Sequence, residues 1–390
     1  MATAVIAQGG GPTPVINASL AAAAEEARAT GFVTHFLGSE YGLKGIRSEL
    51  FIDLFAQDRG VMQKIRNAPG AALGSSRERL SSEQIGQLLE VFRRRDVRYF
   101  FYIGGNGSMG TALDIDEAAQ MAGYELHVIG IPKTVDNDIQ HTDHTPGYGS
   151  AGRFYAHAVR DMGMDHQALP SPILICEIMG RNVGWVVAAT AFARYYEDDA
   201  PHLIYCPEQC LPRERLLADI EAVYRRLGRV FVCICEGQLD ENGEPFGADV
   251  DRPDNPQHRL ASNLGHAVAK FVSKNLQIRV RSERPSLIGR CCSFMVSETD
   301  RHEAELVGRA AIQAARAGHS GQMIGLVRSG TEGNYRSTTN LIPLPDVARK
   351  ERKMPPEFIA NSGADVTPAY TEYARPLIGP VEPHARLTRT

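Results

Sequence analysis

The sequence predicts an α/β fold made of two Rossmann-like lobes, each a mainly parallel sheet covered by helices. Two observations carry this. Short apolar runs bounded by Gly or Pro alternate with longer amphipathic segments, the pattern of strands joined by crossover helices. Several runs end in glycine-rich or acidic loops that feed straight into a helix. At 390 residues the chain also exceeds a single domain of roughly 100–150 residues. A boundary is expected near Pro146-Gly147-Tyr148-Gly149.

In chain order, the strand-like runs are Thr3–Gln8, Arg98–Ile103, His127–Ile131, Ile173–Ile178, Leu203–Tyr205 and Val230–Cys235. Helical patterns occupy Ala18–Ala29, Glu83–Arg94, Met109–Met121, Ala151–Met162, Val183–Phe192, Arg213–Leu227, Leu260–Asn275 and Glu303–Ala317. Asp240–Pro256, rich in Asp, Asn, Gly and Pro, reads as a surface loop. No repeat of solenoid period is present.

Composition narrows the function classes. Hydrophobic residues make up 43% and charged residues 23%, ordinary globular usage that argues against disorder or coiled coil. A net charge of −4 offers no electrostatic footprint for nucleic acid. No apolar stretch reaches the ~18–20 residues of a membrane span. The start, Met1-Ala2-Thr3-Ala4-Val5-Ile6-Ala7, lacks the basic region of a signal peptide. The seven cysteines sit mostly in apolar runs without paired metal spacing, so they read as core thiols, and a cytoplasmic location is expected. Glycine is in excess, at 37 residues.

The chemistry gathers where strands end. Gly9-Gly10-Gly11-Pro12-Thr13-Pro14 follows the first strand, Gly104-Gly105-Asn106-Gly107-Ser108 the second, and Pro132-Lys133-Thr134-Val135-Asp136-Asn137-Asp138 the third. Glycine loops at helix starts free backbone N–H groups to seat phosphate. Lys133 can neutralise charge on a transferring phosphoryl group, and of the alternating pair Asp136 and Asp138 one can take a hydroxyl proton while the other orients its surroundings. There is no Walker A motif or protein-kinase motif set.

At these loops the chain resembles the phosphofructokinase family, and within it the bacterial branch described as pyrophosphate-dependent. The resemblance runs in order through Gly10-Gly11-Pro12-Thr13 with Asn17, Leu73-Gly74-Ser75-Ser76-Arg77, Gly104–Ser108 and Pro132–Asp138. It continues through Thr142-Asp143-His144 with Pro146–Ser150, Glu177–Arg181, Glu236-Gly237, Arg281 to Arg290, and a tail from Lys353-Met354-Pro355 to Gly379. It implies the phosphofructokinase fold, with a donor-binding lobe of residues 1–147 plus about 289–335, a sugar-phosphate-binding lobe of 148–288 plus about 336–390, and an active site in the cleft between them. It also implies a glycolytic phosphotransferase acting on the 1-hydroxyl of fructose 6-phosphate with Mg²⁺, as a homodimer or homotetramer.

Carried over by position, Asp136 is the base, with Lys133 and Asp138 in support. Thr134, Met179, Gly180, Arg181, Glu236, Arg281 and Arg290 serve the acceptor, and the two arginines hold its distant phosphate, in part across a subunit interface. Gly10, Gly11, Arg77, Gly105, Asn106, Gly107 and Ser108 serve the donor, Asn106 also as a weak metal ligand. The donor stays open: an Asp at position 107 would restrict the family to pyrophosphate, Gly107 leaves room for ATP, and Lys133 and Asn106 lean towards pyrophosphate. The family's Gln before the phosphate-binding Arg is Gly289 here, and its loss is expected to loosen the acceptor pocket. The alternatives are a kinase of a related sugar phosphate or polyol, and a weakly catalytic phosphosugar-binding regulatory relative.

Overall fold

A computed structural model of the chain describes residues 2–169, 171–246, 263–330 and 333–387. The described strands are β1 (Ala2–Gln8), β2 (Val33–Ser39), β3 (Phe51–Asp53), β4 (Val97–Gly104), β5 (His127–Pro132), β6 (Ile173–Ile178), β7 (Leu203–Tyr205), β8 (Val230–Cys235), β9 (Val280–Glu283), β10 (Gln322–Ser329) and β11 (Arg336–Pro343). They form a mixed α/β protein of two compact units, Met1–Ser150 with Arg290–Arg352, and Ala151–Gly289 with Lys353–Thr390.

The first unit holds a seven-stranded sheet in the order β11-β10-β5-β4-β1-β2-β3. Its inner pairs are parallel, while β3 and β11 close the edges antiparallel. Side chains alternate along each inner strand. Ala4, Ile6, Phe101, Ile103, Ile129 and Ile131 face the helices Ile16–Thr30 and Glu298–Arg316, whose Leu20, Ala23, Ala27, Val307, Ala311 and Ile312 complete that layer. Val5, Ala7, Phe100, Tyr102 and Val128 face the helices Ser82–Arg94 and Asn106–Met121 on the other side. Because strand order reverses between β1 and β4, the connections leave in opposite directions and open a crevice at the carboxyl ends of the strands.

The second unit holds a four-stranded, wholly parallel sheet in the order β7-β8-β6-β9. Ile173, Ile175, Val230, Val232 and Ile234 pack with Leu216 and Ile220 of helix Arg213–Leu227 and with Leu264, Val268 and Val272 of helix Leu264–Leu276. Of the reading of Asp240–Pro256 as a loop, residues 240–246 form a tight turn closed by Asp240, whose carboxylate accepts the N–H groups of Asn242 and Glu244. The remainder, and 260–262 of the expected helix Leu260–Asn275, lie outside the described residues.

Several expectations are corrected. Residues 336–352 belong to the first unit, not the second, because β11 pairs along its whole length with β10. Five strands (β2, β3, β9, β10 and β11) were not expected. The helix expected at Val183–Phe192 is one α-turn, Trp185–Ala188, continued as a 3₁₀ turn, Ala189–Ala193. No described helix is long and apolar enough to cross a membrane.

Phe101 tests this layering. It is fully buried in β4 and meets Phe36 edge-on at 5.9 Å. Phe101→Ala is expected to lower unfolding free energy by about 3–5 kcal/mol, read by urea denaturation; a loss under about 1 kcal/mol would contradict its place in the core.

Candidate active site

In the first unit, β1, β4 and β5 are neighbours, so their terminal loops emerge side by side. The parallel ladder runs on into those loops. Gly9 N–H donates to the Ile103 carbonyl (2.8 Å) and Lys133 N–H to the Gly104 carbonyl (3.0 Å). Gly10 takes a left-handed backbone, φ +75°, which residues with a side chain rarely adopt. Its N–H donates to the Ser76 carbonyl (3.0 Å), and its own carbonyl accepts the Ser75 hydroxyl (2.6 Å). The segment supplying those serines is itself held by two buried amides. Gln8 donates to Asn17 (3.0 Å) and accepts the Leu73 N–H, while Asn17 accepts the Ala72 N–H and donates to the Ala68 carbonyl.

Three cationic side chains converge on these glycines. The Lys133 ammonium, almost fully buried, donates to the Gly11 carbonyl at 2.6 Å and lies 3.2 Å from where a Cβ on Gly10 would stand. A Cβ on Gly11 would lie 3.1 Å from an Arg290 nitrogen and 3.5 Å from an Arg77 nitrogen. Helix Asn106–Met121 starts alongside with Gly105 as its N-cap and no side-chain cap, so its first N–H groups face outward as an anion seat. Gly107 is exposed there, and a Cβ on it would meet nothing within 4 Å. Below the loops Tyr102 is buried, and burial pushes its phenol up to about 12, so it stays a neutral hydroxyl.

The loop after β5 is the most tightly specified part of the unit. Lys133, Thr134, Asp136, Asn137 and Asp138 are all buried. Asp136 N–H donates to the Thr134 hydroxyl (3.1 Å), and Asn137 sits left-handed at φ 57° with its side-chain oxygen accepting the Thr145 N–H (3.0 Å). The Thr145 hydroxyl in turn donates to the Thr134 carbonyl (3.0 Å). The left-handed turn between the two aspartates is thus pinned from its own side chain. Asp138 accepts the Asn106 amide N–H at 2.9 Å.

Helix Glu298–Arg316 braces the segment that follows. Asp300 accepts the N–H groups of Gly147 (2.7 Å) and Ser150 (2.9 Å); burial raises its carboxyl to about 6 against those bonds. One turn on, Glu303 accepts from His144 Nε2 (2.6 Å), while His144 Nδ1 meets Asp143 (2.8 Å). Burial pulls the imidazole pKa down, but the Glu303 charge and the bonds to both carboxylates win and carry it up to about 9. A histidine raised in this way adds stability that is complete below about 6.5 and is lost as pH rises through about 9.

In the second unit, the loops after β6 and β8 meet. Glu236 accepts the N–H groups of Gly180 (3.3 Å) and Arg181 (3.2 Å). Gly237 permits this approach, since a Cβ there would fall 1.7 Å from the Arg181 carbonyl oxygen. Arg284 lies 2.9 Å from Glu177 and 3.6 Å from Glu236, just beyond the end of β9. Arg281 is exposed and stands further back on that strand, opposite Leu174.

The expected residues therefore fall into two groups. Gly10, Gly11, Arg77, Gly105, Asn106, Gly107, Ser108, Lys133, Thr134, Asp136, Asp138 and Arg290 lie in the first unit; Met179, Gly180, Arg181, Glu236 and Arg281 lie in the second. Arg290, expected with the sugar residues, stands beside Gly11 and Arg77. The expectation about Gly289 is corrected: its missing side chain leaves no gap, because a Cβ there would lie 2.4 Å from the Tyr155 hydroxyl oxygen. Tyr155 is buried, and its phenol is pushed far up, first by burial and then by the Glu236 charge. Sequence reasoning missed Arg284 and the His144–Glu303 pair; the only signal for the first was a second Arg three residues after Arg281.

A site of this kind, glycine loops and cations beside a buried pair of aspartates, is the equipment of a phosphoryl-transfer protein. The family model for phosphofructokinase matches residues 3–315. The chain is 39% identical to a pyrophosphate–fructose 6-phosphate 1-phosphotransferase of Rhodospirillum rubrum, covering 98% of this chain and 95% of that one. It is 33% identical to a sulfofructose kinase of Alkalicoccus urumqiensis, over 92% of each. A crystal structure of a pyrophosphate-dependent phosphofructokinase from Marinobacter aquaeolei superposes with a TM-score of 0.87 at 32% identity, covering 99% of this chain and 94% of that one. The chain belongs to the phosphofructokinase family.

Asn137 gives a graded test of the loop. Asn137→Gly keeps the backbone but loses the Thr145 bond, whereas Asn137→Ala also carries the left-handed penalty of about 1–2 kcal/mol. The midpoint of thermal unfolding is expected to fall in the order Asn, Gly, Ala; an Ala variant as stable as the Gly variant would show that the turn is not constrained.

Proposed function

We propose that the protein transfers a phosphoryl group from pyrophosphate to the 1-hydroxyl of fructose 6-phosphate, giving fructose 1,6-bisphosphate and inorganic phosphate. The observation that carries this is the convergence of Lys133, Arg77 and Arg290 on Gly10 and Gly11, next to the loop that bears Asp136. The names of the relatives support the same donor and acceptor.

In this reading the first unit binds the donor. The N–H groups of the Gly105–Ser108 turn, with Lys133 and Arg77, hold the phosphates and take up the charge that spreads over the transferred group. Asp136 accepts the proton of the sugar hydroxyl as its oxygen bonds to phosphorus, and the bridging P–O bond breaks to release phosphate. Among the described residues no three His, Cys, Asp or Glu side chains could cage a metal. Mg²⁺ needs no such cage, because it keeps phosphate and water ligands and one or two protein oxygens. Asp138, with Asn106 beside it, fits that requirement; Mg²⁺ bound there would neutralise the donor's charge. Glu236, oriented by Gly180, Arg181 and Arg284, binds sugar hydroxyls in the second unit. Arg281, set back from the strand end, is assigned to a neighbouring copy in a homodimer or homotetramer.

ATP is the second reading, favoured by the open space at Gly107. The test is a matrix of Mg-pyrophosphate and Mg-ATP against fructose 6-phosphate, sedoheptulose 7-phosphate, 6-deoxy-6-sulfofructose and unphosphorylated sugars. The highest kcat/KM is expected for pyrophosphate with fructose 6-phosphate, and preference for a sulfonated or unphosphorylated acceptor would overturn the assignment.

Asp136→Asn is expected to cut kcat by about 10²–10⁴-fold without loss of fold by circular dichroism; unchanged turnover would point to a regulatory phosphosugar-binding role. Gly107→Asp adds a carboxylate where nothing is packed, so its stability should hold while any ATP activity falls far more than pyrophosphate activity. Equal loss with both donors would refute the steric account.

A further inference from the structure

We propose that His144 is a positioning residue for phosphoryl transfer: held as an imidazolium between Asp143 and Glu303, it fixes the segment that keeps the Asp136 loop in its reactive geometry. The inference rests on the reading of Asp136 as base. Its observations lie in the first unit and involve no ligand.

His144 and Glu303 are both buried, with side-chain exposures of 2% and 1%. Each imidazole nitrogen faces a carboxylate oxygen, at 2.8 Å to Asp143 and 2.6 Å to Glu303. Only the protonated ring has an N–H for both. The surroundings suit that state. Tyr335 donates to the second Glu303 oxygen (2.5 Å), and Arg328 pairs with Asp143 at 3.0 Å. Arg352 donates to the carbonyls of Thr142 (2.6 Å) and Asp143. Asp143, Glu303, Tyr335, Arg328 and Arg352 are thus the titratable and charged groups that face the ring and its segment.

The mechanical link to the chemistry is one residue long. Thr145, next to His144, binds both the Thr134 carbonyl and the Asn137 side chain, the two points that shape the turn around Asp136. The Thr142 hydroxyl donates to the His144 carbonyl (2.8 Å) and accepts the Leu326 N–H (2.9 Å), tying the same segment to β10. When the ring loses its proton, one carboxylate loses its donor, and the bond that ties the ring to Glu303 of helix Glu298–Arg316 is weakened. Asp136 then strays from the distance that proton transfer needs, where an error of about 1 Å costs about 10²-fold.

The test compares kcat and KM against pH, with pyrophosphate and fructose 6-phosphate, for the full-length protein and three variants. Wild-type kcat is expected to fall on the alkaline side near pH 9. Glu303→Gln keeps an acceptor but removes the charge, so the fall should move down by about 1–3 pH units with acceptor KM unchanged. Tyr335→Phe frees the Glu303 charge from a donor and should move the fall upward. Opposite shifts tie this limb to the ring between Asp143 and Glu303. His144→Gln should lower kcat by about 10–100-fold and abolish the limb. An alkaline limb that stays in place in both Glu303→Gln and Tyr335→Phe overturns the proposal, even if His144→Gln fails to fold. So does a His144→Gln enzyme with wild-type kcat and pH profile. Failure of the base reading shows separately, as an active Asp136→Asn enzyme.

Discussion

Everything in the first unit depends on the parallel register of β1, β4 and β5. The ladder does not stop where the strands stop: the Gly9 and Lys133 N–H groups carry it one rung further, into the loops themselves. Each rung contributes only about 1 kcal/mol net, but a buried N–H left without one costs about 1–3 kcal/mol. The first residue of each of these two loops is therefore fixed by backbone bonding to the sheet. On the proposed reading Lys133, Asp136 and Asp138 serve the chemistry, and the loop is buried without being apolar.

Helix Glu298–Arg316 shows how one element can serve both packing and the site. Its apolar stripe, including Val307, Ala311 and Ile312, seals one face of the sheet. Its first turns present Asp300 and Glu303 to the segment after the aspartate loop. The helix cannot rotate to relieve either carboxylate without exposing that stripe, so packing enforces the electrostatics. This is why two acidic groups are tolerated at almost complete burial.

The central strands β1, β4, β5, β6 and β8 were legible in the sequence because strands buried on both faces read as unbroken apolar runs. The phrases at 104–108 and 132–138 were legible because glycine, lysine and paired aspartates at strand ends have few other uses together. The edge strands β9 and β11 were not: β11 alternates exposed and half-buried positions, and β9 carries Arg281 and Glu283, so neither makes an apolar run. The His144–Glu303 pair joins residues 159 apart in the chain, and no local pattern announces such a contact. Gly289 misled because a missing side chain is visible in sequence while the tyrosine that replaces its volume, 134 positions earlier, is not.

The open position at Gly107 has an evolutionary consequence. A glycine codon that ends in a pyrimidine becomes an aspartate codon by a single base change, and here an added Cβ would displace no packed atom. On the proposed reading, donor choice and fold stability are uncoupled at this residue. A lineage could narrow or widen its phosphoryl currency in one mutational step, with no need of a compensating change elsewhere in the protein.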